Sequence, residues 1–220
     1  MFFRRLSQAR ARWVMRMQSG VSLLNLPASS VLVPVVETRP RFVQALETPA
    51  VRAILLRHCN LFEFKALVER AHRNGYALYV NMDHIDGVNA DYAGLRHLAT
   101  HFHIRGVISS HPKVMVLAHE LGLEAIQRIF AVDSTGLEMA LESVDRAVVD
   151  MLDFTPAHVV PYIMPALRPT LDLPYMASGL LYGANQLRAV LASGVRAVAV
   201  TRLDQWLPVL SACSSSAETH

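Results

Sequence analysis

The chain of 220 residues reads as an α/β protein of the (β/α)8, TIM-barrel-like kind, and three observations predict it. Short apolar runs alternate with amphipathic segments from Ser30 onward. Eight such runs occur, beginning roughly 19 to 28 residues apart. They are apolar throughout instead of alternating with polar positions, as parallel strands covered by helices on both faces are. A doubly wound open sheet would give the same local rhythm, while eight cycles favour closure into a barrel. The body of about 180 residues is short beside the roughly 250 typical of the architecture, which leaves room for one degenerate unit, the first or the fourth.

In chain order, the strand-like runs begin near Val31 (VLVPVV), Val51 (VRAILL), Tyr76 (YALYVNM) and Ile104 (IRGVIS). The remaining four begin near Leu123 (LEAIQRIFAV), Val148 (VVDMLDF), Leu173 (LPYMASG) and Val195 (VRAVAVT). Between the second and third runs, LFEFKALVERAHRNG sets Leu61, Phe64, Leu67, Val68 and Ala71 on one helical stripe. Asn74-Gly75 then supplies a stop. SVDRAVVD follows a helix begun at Ser134, and NQLRAVLASG carries another to Gly194.

Composition excludes several classes. With 52% hydrophobic and 18% charged residues, the chain can bury enough apolar surface to offset its ordering entropy, so it is not a disordered protein. Cys59 and Cys213 are the two cysteines, too few for a disulfide scaffold. The most apolar stretch, Phe154 to Leu167, carries His158 and three prolines and is shorter than the roughly 20 residues of a spanning helix. A soluble, cytoplasmic protein without a membrane partner is expected.

The formal net charge of +3 is unevenly placed. Residues 1–28 hold Arg4, Arg5, Arg10, Arg12 and Arg16 and no acid; without them, 16 basic residues face 18 acidic ones. Residues 1–28 are therefore expected as a basic, flexible N-terminal extension, residues 29–210 as one barrel domain and residues 211–220 as a disordered tail. The extension has the composition of a nucleic-acid arm or a transit segment, and equally that of a stretch upstream of the start used.

In a barrel of this kind, ligands bind at the carboxyl ends of the strands, so polar residues there are the candidates. The third run ends with Asn81, Asp83, His84 and Asp86, and the fourth with Ser109-Ser110-His111. The fifth holds Gln127 and Arg128 and ends in Asp133-Ser134; the sixth has Asp150 and Asp153. The seventh ends Ser178-Gly179 and the eighth Thr201-Arg202. Loops after the seventh and eighth strands build phosphate sites in such barrels, and a turn of small residues lets backbone amides approach an anion. Gly179 and Thr201 stand at that place, with Arg202 or Arg128 to add charge-assisted bonds. Ser178-Gly179 as a plain strand exit is the competing reading. Arg128 inside a strand needs a carboxylate partner, Asp153 or Asp83, and Asp133-Ser134 have the pattern of a helix cap. His97, His101 and His103 lack an accompanying acid and read as a solvated helix end more readily than as a metal site. Cys59 beside His58 reads as incidental.

Taken in order, YVNMDHIDGV, RGVISS, EAIQRIFAVDS, DMLDFTPA, PYMASGLL and AVAVTRLDQW resemble the motifs of the glycerol uptake operon antiterminator family, from about Pro34 to Trp206. AIQRIFAVDS is the most specific of them. The resemblance implies a TIM-barrel regulator, not an enzyme. Such a regulator senses glycerol 3-phosphate and acts on the leader of glycerol-utilisation messenger RNA to prevent premature termination. Asp83 and Gly87 match the motif after the third strand, and Gln127, Arg128, Asp133 and Ser134 that of the fifth. Gly179 and Thr201 match the phosphate-binding strand ends. The chain departs from the family pattern at Asn81, where histidine is usual, and at Asp153-Phe-Thr-Pro156-Ala157, where Glu-x-Leu-Pro-Gly stands. It departs again at Ser110-His111-Pro112 for Thr-Arg-Gly, at Ser178-Gly179 for Gly-Gly and at Thr201-Arg202 for Thr-Ser. Ser178 narrows the approach to phosphate and Arg202 offers compensating charge.

The expected ligand-binding set is therefore Asp83, Arg128, Asp133, Asp153, Ser178, Gly179, Thr201 and Arg202. The effector is glycerol 3-phosphate without a further cofactor, and the partners are leader mRNA and a second copy in a homo-oligomer. No RNA-recognition module is visible in the body. The rival reading is a small barrel enzyme acting on a phosphorylated metabolite, with Asp83 or Asp153 as base. A third is a metabolite sensor with a protein partner.

Overall fold

The computed structural model describes residues 20–208. Its eight strands are β1 (Leu32–Val36), β2 (Ala53–Leu56), β3 (Ala77–Asn81), β4 (Gly106–Ser109), β5 (Glu124–Phe130), β6 (Met151–Thr155), β7 (Tyr175–Ser178) and β8 (Val198–Val200). All neighbours are parallel, and β8 pairs with β1 to close the barrel. Each strand begins one to three residues after its expected run, because the first residues of each run belong to the turn that feeds the strand.

Helices α1 (Arg39–Glu47), α2 (Lys65–Arg73), α3 (Tyr92–His101), α4 (Pro112–Glu120), α5 (Ser134–Glu142), α6 (Val160–Leu167) and α7 (Ala184–Ala192) follow β1 to β7 in turn. Residues 203–208 are helical after β8. The expected degenerate unit is thus absent from the described residues. Each of the first seven units carries a strand and an α-helix, and the saving in length is spread over all of them as 8- to 10-residue helices. Short helices suffice because strands of 3 to 7 residues need little more to cover them. Asn74 and Gly75 end α2 as expected, with Gly75 at φ 76.

Two apolar clusters result. The larger lies between sheet and helices and includes Leu56, Leu78, Val80, Leu95, Leu98 and Phe154. The smaller fills the barrel with Val33, Val35, Leu55, Tyr79, Ile108, Ile126, Met151 and Met176. Every second residue of a strand points inward, so the two clusters take alternate positions and the runs are apolar throughout.

The amino end of the barrel is closed by residues 21–26. Ser22 caps the turn Leu23–Asn25 by accepting from Leu24 N at 3.0 Å, and Asn25 Oδ1 accepts from Ser22 N. Leu23 is fully buried against the inner cluster. Buried Glu124 fixes this floor: it accepts from Ser22 Oγ, Tyr79 Oη and Arg105 Nε, each at 2.6 Å. Tyr79 Oη in turn accepts from Leu23 N at 2.9 Å. Burial first, then the Glu124 charge, pushes the Tyr79 phenol well above its ordinary value. Within the flexible extension expected over residues 1–28, residues 21–26 are instead packed and hydrogen-bonded as part of the barrel. The five arginines and the tail 211–220 lie outside the described residues.

Leu23→Ala is expected to lower the unfolding free energy by about 2–5 kcal/mol, the usual cost of emptying a fully buried leucine site; urea denaturation followed by circular dichroism measures it.

Candidate functional site

Strand registers stack the inward side chains in layers drawn from alternate strands. Val33, Tyr79, Ile126 and Met176 make one layer, and Leu55, Ile108, Asp153 and Ala199 the next towards the carboxyl end. Above it come Val35, Asn81, Arg128 and Ser178, and Arg57, Thr155 and Thr201 stand at the rim. The interior thus turns from apolar to polar at Asp153.

Arg128 and Asp153 form the central contact. Arg128 donates from Nε at 2.9 Å and from Nη2 at 2.8 Å to Asp153 Oδ2, which also accepts from Ser178 Oγ at 3.1 Å. Asp153 is 0% and Arg128 8% exposed. A buried pair needs such geometry to offset its desolvation. The neighbouring rim residue Arg57 is held by Glu37 Oε1, with Nε at 3.0 Å and Nη2 at 2.6 Å, while Arg41 approaches Glu37 Oε2 at 3.3 Å.

Beside this pair opens a cavity of about 410 Å³. Arg128, Ser178, Gly179, Thr201 and Arg202 line it, together with Arg57, Tyr182 and Trp206. Gly179 has φ +78, and a Cβ there would meet Thr155 Oγ1 at 3.0 Å. The backbone conformation favours glycine, and the Thr155 hydroxyl would have to give by a few tenths of an ångström to admit a side chain. Leu180 follows at φ 51, so two successive left-handed residues turn the chain tightly over the mouth towards Gly183, the N-cap residue of α7. No side chain caps that helix, leaving its first amides free to face an anion.

Asp83 and Asp133 are placed differently. Asp83 Oδ1 accepts from Ser109 Oγ, and Oδ2 accepts from Ser110 N at 2.8 Å, tying β3 to β4. His111 Nδ1 lies 3.3 Å from Oδ1. Burial pushes the Asp83 carboxyl up, but the bonds from Ser109, Ser110 and His111 outweigh it and hold the carboxyl below its ordinary 3.8. Asp133 Oδ1 accepts from Gly136 N at 2.7 Å and caps α5, so the cap is Asp133 and Ser134 is the first helical residue. The sequence-derived set therefore splits. Arg128, Ser178, Gly179, Thr201 and Arg202 line the mouth, Asp153 is buried beneath them against Arg128, and Asp83 and Asp133 brace the loops beside it.

Sequence reasoning passed over Arg57 and the cavity residues Tyr182 and Trp206. Arg57 was findable, since it stands two residues beyond inward-facing Leu55 at the end of its run. His84 and His58 stack at 4.7 Å next to this rim. Burial and His58, with Arg128 and Arg57, hold His84 below the ordinary histidine value against the opposing charge of Asp83. Burial and then Asp86 push the Cys59 thiol up to about 12, which leaves it unreactive beside His58. His97 and His101 stack at 4.4 Å, whereas His103 pairs with His72 at 6.2 Å. Among the described residues no group of three His, Cys, Asp or Glu could hold a metal, and no helix is long and apolar enough to cross a membrane.

A closed eight-stranded parallel barrel whose polar mouth lies at the carboxyl ends of its strands defines a (β/α)8 protein of TIM-barrel type. The family model described as glycerol-3-phosphate responsive antiterminator matches residues 32–206. The chain belongs to that family. Among solved structures, the glycerol uptake operon antiterminator regulatory protein of Listeria monocytogenes is 23% identical, with a TM-score of 0.71 over 80% of this chain and 94% of that one. An antiterminator-related protein of Thermotoga maritima is 19% identical, with a TM-score of 0.68 over 82% and 97%. Deoxyribose phosphate aldolase of Aeropyrum pernix shares the fold at 13% identity and a TM-score of 0.62, over 93% and 97%. No curated sequence relative matches the chain.

Two outcomes follow from the site. Arg128→Ala leaves the Asp153 carboxylate buried without its partner and is expected to cost about 3–5 kcal/mol of stability, read by chemical denaturation at neutral pH. For Asp83, whose native carboxyl sits below 3.8, the stabilisation is present above that value and lost as pH falls through the lower native one. The stability gap between wild type and Asp83→Ala is therefore expected to shrink as denaturation curves are taken to lower pH; a gap that widens contradicts the assignment.

Proposed function

We propose that the protein is a glycerol 3-phosphate-responsive transcription antiterminator. It takes glycerol 3-phosphate into the barrel mouth and, when loaded, acts on leader mRNA of glycerol uptake and utilisation genes. The observation that carries the ligand half is the Gly179 turn. Its positive φ and the 3.0 Å clearance at Thr155 keep the backbone bare where the uncapped start of α7 adjoins it. Amides of that turn, the Thr201 hydroxyl and the Arg202 guanidinium suit a phosphate. Arg128, Asp153 and Ser178 form the polar wall beneath. Asp83 and Asp133 act indirectly, by holding the loops after β3 and β5.

The RNA half rests on membership of the family. Outside residues 1–28 the acids slightly outnumber the bases, so RNA phosphate contacts would be local and binding should weaken steeply with salt. We place the protein in the cytoplasm with its mRNA, working with its effector and no further cofactor, as a homo-oligomer. An enzymatic role is less well supported. A general base works best with a pKa near the operating pH, and Asp83 is held below 3.8 while Asp153 is committed to Arg128.

Gel shifts with the leader of a glycerol-utilisation operon, with and without glycerol 3-phosphate, test the regulatory reading. Retardation that strengthens with the effector is expected, and none under either condition at low salt overturns it. Calorimetry tests the site: Gly179→Val should abolish glycerol 3-phosphate binding, because a branched side chain blocks the amide approach. Equal affinities for glycerol and glycerol 3-phosphate would refute a phosphate site.

A further inference from the structure

We infer that Asn81 and Asp153 form a hydroxyl-reading subsite beneath the phosphate end of the mouth, so that it selects a phosphorylated polyol over a phosphorylated alkyl chain. The inference rests on the ligand reading above and specifies its ligand class.

Both side chains are 0% exposed, yet Asn81 Nδ2 and Asp153 Oδ1 each have no hydrogen-bond partner. Buried polar atoms are paired in folded proteins, and an exception calls for a reason. Here the two exceptions are a donor and an acceptor, on adjacent layers of the same barrel interior. Their orientations are fixed from behind. Asp153 Oδ2 is occupied by Arg128 and Ser178, which leaves Oδ1 as the free acceptor. Asn81 Oδ1 accepts from Asp83 N at 3.1 Å, so a flipped amide would set two donors against each other and Nδ2 must be the free donor. Gln127 Oε1 also lacks a partner, but Gln127 takes the outward parity of β5 and donates to Ser143 on the helix side. It has no part in the mouth.

A hydroxyl matches this pair, since it donates one hydrogen bond and accepts others. The hydroxyls of a polyol would donate to Asp153 Oδ1 and accept from Asn81 Nδ2, which face the interior from strands three apart in the ring. A carboxylate would meet the Asp153 charge, and an ammonium would meet Arg128 and the Asn81 donor. Depth agrees as well. Asp153 lies two residues along the strand direction below the Thr201 rim, about 5 Å for a rise of about 3.3 Å per residue and a tilt of about 36°. A short carbon chain bridges that drop from a phosphate at Gly179, Thr201 and Arg202.

Calorimetry of the full chain with sn-glycerol 3-phosphate, n-propyl phosphate and inorganic phosphate tests the subsite without altering the protein. Propyl phosphate, which lacks both hydroxyls, is expected to bind at least about tenfold more weakly than glycerol 3-phosphate, because it leaves both polar atoms unpaired. Equal affinities for those two overturn the inference while leaving the phosphate site standing. No binding of any of the three overturns the ligand reading and this inference together. In a second arm, Asn81→Asp keeps the acceptor that holds Asp83 N and replaces the free donor by an acceptor. It should abolish the preference for glycerol 3-phosphate, and a preserved preference removes Asn81 from the subsite. Should that variant fail to fold, the three-compound series on the wild-type chain decides the matter alone.

Discussion

Arg128 and Asp153 meet just above the apolar filling of the barrel, and much of the molecule can be understood from that contact. Two opposite charges at this depth are tolerable only if their geometry is fixed. The register of β5 on β6 fixes it by pairing Arg128 with Asp153 directly, and Ser178 on β7 adds a third bond to the same oxygen. The pair thereby locks three adjacent strand ends at the height where the interior changes character. Below it, the barrel is filled and sealed by Leu23 and the Glu124 hydrogen bonds; above it, the mouth is open and polar.

This division lets a small barrel be both stable and receptive. The floor spends its polar groups on one another, so Ser22, Tyr79, Arg105 and Glu124 are all satisfied. The mouth holds polar groups back. Asn81 Nδ2 and Asp153 Oδ1 stay unpaired, the first amides of α7 lack a side-chain cap, and Gly179 and Leu180 adopt left-handed backbone. Departures from local rules of this kind cluster where a protein binds something.

The fold was legible in the sequence because eight parallel strands buried on both faces leave eight apolar runs, and each run became a strand. The same property hid part of the site. With no polar alternation, the sequence does not declare which residues of a run face inward, so Arg57 went unnoticed while Asp83 and Asp133 were grouped with the mouth. Asp133 in fact follows the local capping pattern with Gly136, and Asp83 binds Ser109 at the end of β4, 26 residues away. Arg128 asked for an acid from sequence alone, and register chose Asp153 over Asp83. The floor was invisible for a different reason: Ser22 and Glu124 are 102 residues apart, and no local pattern joins them.

The central claim is that the barrel mouth holds a phosphorylated polyol, phosphate at the rim and hydroxyls at depth. A crystal structure of the protein with sn-glycerol 3-phosphate tests it most directly. The account predicts phosphate oxygens on the backbone amides after Gly179, on Thr201 and on Arg202, with ligand hydroxyls on Asn81 Nδ2 and Asp153 Oδ1. Ligand bound elsewhere, or seated in the mouth with its phosphate against Arg128 and its hydroxyls towards solvent, would contradict it.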